Sequence, residues 1–248
     1  MKALSKITLV LCAVITVNIA SALAENNTHT FTSGTEKVQL VELYSSQGCS
    51  SCPPAQRYLN KLSDSPLLWD KVVPVVFHVD YWDYLGWKDP YSSAEYSSRQ
   101  RQFKRQGLAL SVYTPGFFVQ GQEWTGFFKR KQIPLIQDTA PQLKVTFEEN
   151  KISAFFGDEL AKNHETLSLN IAYLGMDLST HVHSGENRSK TLDENFIVLS
   201  HHSIDSTNGN WEAEIQPPST GENLAIAAWV TRKGELEPLQ VTGGPITF

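Results

Sequence analysis

The chain has 248 residues, 41% of them hydrophobic and 19% charged, with a formal net charge of -5. That composition is globular and excludes the disordered and fibrous classes. The acidic balance excludes nucleic acid as the main partner, because phosphate binding needs a dense Lys/Arg face.

Residues 1–24 read as a signal peptide. Lys2 and Lys6 form a positive n-region, Ile7 to Ile19 is an apolar run, and Ala22-Leu23-Ala24 supplies a small-x-small cleavage pattern. The run is shorter than the roughly 20 residues that span a bilayer, so no stable membrane insertion is expected after cleavage. Cleavage after Ala24 removes Lys2, Lys6 and Cys12, moves the charge from -5 to -7, and leaves two cysteines, Cys49 and Cys52. Export implies a periplasmic or secreted protein in an oxidising compartment, where disulfides form and persist.

Residues 25–37 are polar and patternless, and read as a flexible leader. "VQLVELYSS" (38–46) predicts a buried strand, "PPAQRYLNKLSD" (53–64) a helix with prolines in its first turn, and "KVVPVVFHVD" (71–80) a second strand with Pro74 at its start or on an edge. Strand, helix, strand over so short a span implies a right-handed βαβ unit with parallel strands. Both strands then end at one edge of the sheet, where α/β folds place ligands. A helical insertion over 92–107 ends at Gly107, "VYTPGFFVQG" (112–121) reads as a loop entering a strand, and "QEWTGF" (122–127) as its partner strand. "FKRKQIPLIQD" (128–138) reads as a helix weakened by Pro134. From 141 the pattern turns to strands; in "TLSLNIAYL" (166–174), Leu167, Leu169, Ile171 and Tyr173 alternate with smaller or polar residues. The expected organisation is an α/β domain over 38–140 and an antiparallel β-sandwich-like region over 141–248.

The chemistry concentrates in "YSSQGCSSCPPAQRYL" (44–59). Cys49 and Cys52 stand two residues apart, between the first strand and the first helix. As a staple, a loop this short contributes only about 2 kcal/mol, and a chain this long has core enough without it. As a zinc site the pair lacks a second pair or spaced histidines; His78, His181, His183, His201 and His202 match no ligand spacing. With two methionines in the chain, copper has no Met-rich tract to bind.

As a redox couple, the pair needs an exposed thiolate, and a thiol near pKa 8.5 is only about 3% ionised at pH 7. A helix N-terminus beside Cys49, with hydroxyls from Ser50 and Ser51, would raise that fraction. Thr114-Pro115 would sit at the same sheet edge and face the cysteines. The stretch 81–91 brings Tyr81, Trp82, Tyr84, Trp87 and Tyr91 to that edge as a partner groove or as plain loop packing. Glu42, seven residues before Cys49, is a candidate proton relay if its side chain turns toward Cys52. His78 reads as a satisfied structural histidine. The basic run Arg99, Arg101, Lys104, Arg105 reads as a solvated helix face, and Gly185-Glu186-Asn187 as a turn.

Four stretches together carry a resemblance: "VELYSSQGCSSCPPA" (41–55), "HVDYWDYLGWKDPYSS" (78–93), "VYTP" (112–115) and "SGENRSKTL" (184–192). The chain resembles the thioredoxin-like superfamily and, within it, the exported bacterial family catalogued as domain of unknown function 1223. The resemblance implies a thioredoxin-like domain and a cis bond at Thr114-Pro115. Relatives often carry glutamine after that proline, where this chain has Gly116. The function expected is thiol–disulfide exchange with protein or small-molecule thiols, with Cys49, Cys52 and Pro115 at the centre. It implies no organic cofactor and no metal. The alternatives are a copper-binding module that uses the same cysteines, and a non-catalytic interaction protein with a structural disulfide.

Overall fold

A computed structural model of the chain describes residues 28–157, 163, 165–219 and 223–247. The expected signal peptide lies outside the described residues. Strand β1 (Thr28–Thr32) precedes β2 (Gln39–Ser45), helix α1 (Pro53–Asn60) and β3 (Val72–Val79). Strand β4 (Ser92–Ser93) leads into helix α2 (Ala94–Arg105), followed by β5 (Gly116–Val119) and β6 (Gln122–Glu123). Nine strands follow: β7 (Leu143–Glu148), β8 (Lys151–Phe156), β9 (Leu167–Met176), β10 (Leu178–His181), β11 (Thr191–Glu194), β12 (Ile197–Ser206), β13 (Asn210–Glu214), β14 (Asn223–Arg232) and β15 (Pro238–Ile246).

Every residue of β2 and β3 is buried, as a continuous apolar run between two covered faces requires. The two strands pair in parallel from Gln39 opposite Val72 to Ser45 opposite His78, with α1 crossing between them. Strand β5 pairs antiparallel along the other side of β2. The C-terminal ends of β2 and β3 and the start of β5 therefore meet at one edge. Pro74 falls inside β3, not at its start. The N–H of Val76 reaches across to the carbonyl of Phe196, and Pro74, two residues earlier, faces the same side before β12 begins. Its missing donor removes no ladder bond there.

The large sheet runs β15-β14-β9-β12-β3-β2-β5-β6, with β4 pairing at the end of β3. Strands from 141–248 thus continue the sheet begun in 38–140, joined where Ile197 pairs with Val76. A second, antiparallel sheet, β1-β7-β8-β13, lies over β9, β14 and β15. Val145, Phe147, Phe156 and Trp211 fill that contact with Leu169, Ile171, Tyr173 and Ile226. The expected leader is corrected in part: β1 belongs to this sheet, and Phe31 packs against its core. Residues 128–138 form no helix beyond a short 3-10 turn at Gly126–Lys129. The architecture is a mixed α/β fold with two helices longer than one 3-10 turn and a large β content among the described residues.

Alternation along β2 sorts two layers. Val41 and Leu43 pack with Ala55 and Leu59 of α1 and with Phe117, while Leu40 and Tyr44 pack with Phe103 of α2 and with Phe118. Helix α2 starts at Ser93, whose hydroxyl accepts from the N–H of Glu95. Beyond both layers, β10 and β11 form a separate two-stranded ribbon lying along α1.

Candidate redox site

Cys49 and Cys52 form a disulfide, with Cα atoms 5.5 Å apart. Cys52 is the N-cap of α1, Pro53 and Pro54 occupy its first turn, and the N–H groups of Ala55 and Gln56 donate to the Cys52 carbonyl. Both prolines stand where a helix has no intrahelical use for an N–H, so the sequence starts the helix directly after the second cysteine. Ser51 Oγ lies 3.3 Å from Cys49 Sγ. The bond is not exposed, contrary to expectation: each cysteine is only 1% accessible.

Three segments cover it. Trp82 lies against the loop, where a side chain at Gly48 would meet the Trp82 Cβ at 3.0 Å. The Trp82 indole N–H also donates to Thr114 Oγ1 at 2.7 Å, beside the cis Thr114-Pro115 bond. Gly116 follows because a Cβ there would sit 2.8 Å from the Tyr113 carbonyl. Tyr81 donates to Gln100, whose amide donates to that same carbonyl. Tyr84 does not join this packing and is 78% exposed. Trp87 turns its indole N–H to Gln47 Oε1 at 3.1 Å.

Beneath the loop, His78 is fully buried at the end of β3, with Nδ1 2.8 Å from Asp89 Oδ2 and Nε2 3.7 Å from Glu194 Oε1. The first contact is an ion pair without aligned hydrogen-bond geometry. Burial would push the imidazole pKa down, but the Asp89 and Glu194 carboxylates outweigh it and hold His78 at about 9. Burial likewise works against the charge of Asp89. His78 and the N–H groups of Gln47 and Tyr91 nonetheless hold that carboxyl below its usual range. Gln47 ties this group to the cysteine loop. Its backbone N–H donates to Asp89 and its side-chain amide to Glu194, each at 2.7 Å.

The third cover is the tip of the β10–β11 ribbon. Asn187, fully buried, donates from Nδ2 to the carbonyls of Gln47 at 2.8 Å and Cys49 at 2.9 Å. The Ser50 N–H donates to Glu186 Oε2 at 2.9 Å. Hydrogen bonding from Ser50 holds the Glu186 carboxyl below its usual range.

The structure thus brings together Cys49, Cys52, Ser50, Ser51, Trp82, Trp87, Thr114 and Pro115 at one sheet edge. It does not bring Glu42 there. Arg99 donates to both Glu42 oxygens at 2.9 and 3.0 Å and Tyr44 donates to one of them, all on the α2 side of β2, opposite α1. Arg99 accordingly leaves the expected solvated basic face; Arg101, Lys104 and Arg105 stay exposed. Sequence reasoning missed Gln47, Asp89, Glu186, Asn187 and Glu194. Four of these lie inside the stretches that carried the resemblance, which was the available signal. Glu194 lies just beyond the last of them and gave none.

A CxxC-spaced disulfide at the start of a helix, at the edge of a mixed α/β sheet, defines a centre consistent with redox-active thiol–disulfide exchange. The family model described as protein of unknown function (DUF1223) matches residues 40–231, and the chain belongs to that family. A crystal structure of a protein from Agrobacterium tumefaciens is similar at a TM-score of 0.58 and 22% identity, over 86% of this chain and 96% of that one. HBP35 of Porphyromonas gingivalis is similar at 0.51 and 12% identity, over 86% and 76%. At these identities the likeness is one of fold alone. No curated protein matches the chain.

Proposed function

We propose that the protein is an exported, thioredoxin-like thiol–disulfide oxidoreductase whose couple is Cys49–Cys52. The observation that carries this reading is the closed Cys49–Cys52 bond at the first turn of α1, on the edge where β2, β3 and β5 converge. A partner thiolate attacks Cys49 Sγ. The bond to Cys52 breaks, its electron pair leaves on Cys52 Sγ, and that sulfur takes a proton. The partner is then held as a mixed disulfide on Cys49. A second partner thiolate displaces Cys49, so the partner leaves oxidised and the protein holds two thiols; the reverse sequence oxidises the protein. The dipole at the start of α1 favours the Cys49 thiolate. Pro115, Thr114 and the tryptophans Trp82 and Trp87 would flank the partner, with Tyr84 at the rim. No helix among the described residues is long and apolar enough to cross a membrane. The periplasm is the compartment this reading favours, because the chemistry needs an oxidising partner pool.

The test is a trap. Cys52→Ser removes the resolving sulfur, so incubation with glutathione disulfide should leave one glutathione on Cys49, located by peptide mass. A native-state protein that forms no adduct while its urea-unfolded form does would reject the assignment.

A further inference from the structure

The tip of the β10–β11 ribbon satisfies the cysteine loop's own backbone groups. Asn187 Nδ2 fills the carbonyls of Gln47 and Cys49, and Glu186 takes up the N–H of Ser50. Those are main-chain groups of the cysteine loop that an incoming polypeptide could bond in the tip's place. We propose that Glu186 and Asn187 are access-determining residues: they occupy the partner's place on the CxxC loop, and an exchanging thiol reaches Cys49 only when this tip lifts. The proposal rests on the exchange reading for its purpose, though not for its test.

The construction suits a part that moves. The ribbon has two strands and belongs to neither large sheet, and such a pair is marginal alone. The tip closes on itself: Val182 N–H donates to the Lys190 carbonyl and Ser189 N–H to that of Val182, with Gly185 at φ +75° turning the chain. Lys190 Nζ donates to Asn187 Oδ1 at 2.9 Å, which fixes the amide so that its N–H pair faces the cysteine loop. Ser184 Oγ donates to the Gly86 carbonyl, joining the tip to the aromatic loop as well. At the ribbon's base Leu178 is buried and Asn60 donates to the Asp193 carbonyl, while at the tip Val182 and Asn187 are buried as well. Lifting the tip therefore exposes Val182 and Asn187 and breaks the hydrogen bonds of Glu186, Asn187 and Ser184, with Leu178 still packed. An extended partner would supply the missing groups in kind, a carbonyl for the Ser50 N–H and N–H donors for the two carbonyls. The partner class this fits is a polypeptide with accessible main chain around its cysteine.

The readout is the second-order rate at which dithiothreitol reduces the Cys49–Cys52 bond in the native protein, yielding two protein thiols and cyclic oxidised reagent. Asn187→Ala removes both donors and should raise the rate roughly tenfold, the scale expected when two modest hydrogen bonds are lost. Glu186→Ala removes one exposed acceptor, should accelerate reduction less, and serves should Asn187→Ala fail to fold. Ser168→Ala, whose hydroxyl bonds Asp205 on β9–β12, is the control for general loosening. Rates for both tip variants within twofold of wild type, or equal acceleration in the control, overturn the proposal. A fast-reducing tip variant whose Cys52→Ser form still captures no glutathione would instead reject the exchange reading and leave the cover standing.

Discussion

His78 carries a charge where no solvent reaches it, and the residues around it explain why. Asp89 and Glu194 flank the ring, and Gln47 hydrogen-bonds both carboxylates from the cysteine loop. The folded pKa stands raised, at about 9 against 6.5. A raised histidine pKa means stabilisation that is complete below the unfolded pKa and lost as pH rises through the folded one. Urea unfolding should therefore show stability falling between about pH 6.5 and pH 9, by on the order of 3 kcal/mol, with His78→Gln removing most of that slope. An unchanged slope in the variant would place the titration elsewhere. His78 was readable as a satisfied buried histidine, but its partners were not. Asp89 is eleven residues on and Glu194 more than a hundred, and Glu194 reaches His78 only because β11 folds back beside α1.

At the scale of elements, the bond between β2 and α2 is a buried ion pair. Arg99 forks onto Glu42, and its guanidinium lies 5.4 Å from the centre of the Phe77 ring and 5.6 Å from that of Trp229. Removing one member of such a pair strands the other charge, at a cost of about 3–5 kcal/mol. Glu42→Gln should lose stability on that scale in urea while its cysteine pair is reduced at the wild-type rate, since the carboxylate faces away from α1. Reduction slowed in proportion to the stability change would return Glu42 to the exchange chemistry. The strands, the first helix and their parallel pairing were legible because apolar runs and the Pro-Pro start leave few alternatives. The direction of Glu42 was not: β2 is buried on both faces, so period two gives no inside and outside to choose between. For the same reason a basic helix run concealed one arginine that points inward.

Over the whole molecule, one sheet joins what the sequence presents as two halves. The change of pattern near residue 140 is real, yet β12 pairs with β3 across more than a hundred residues, and nothing local announces such a pairing. The strand within the expected leader was hidden for a similar reason. Thr28–Thr32 alternates threonine with His29 and Phe31, and only the neighbouring β7 turns that pattern into a strand. This continuity carries the β10–β11 ribbon back over the cysteines, so the C-terminal half covers the site the N-terminal half builds. Whether the Cys49–Cys52 bond is an exchanging couple or a permanent staple is decided most directly by its reduction potential. It is measured by equilibrating the native protein in glutathione buffers of graded composition and counting thiols by mass after acid quenching. An exchanging couple should titrate above about −300 mV, within the range of known thiol–disulfide oxidoreductases. A bond that stays closed in the most reducing buffer, with a potential far below that value, would mark it as structural and contradict the assignment.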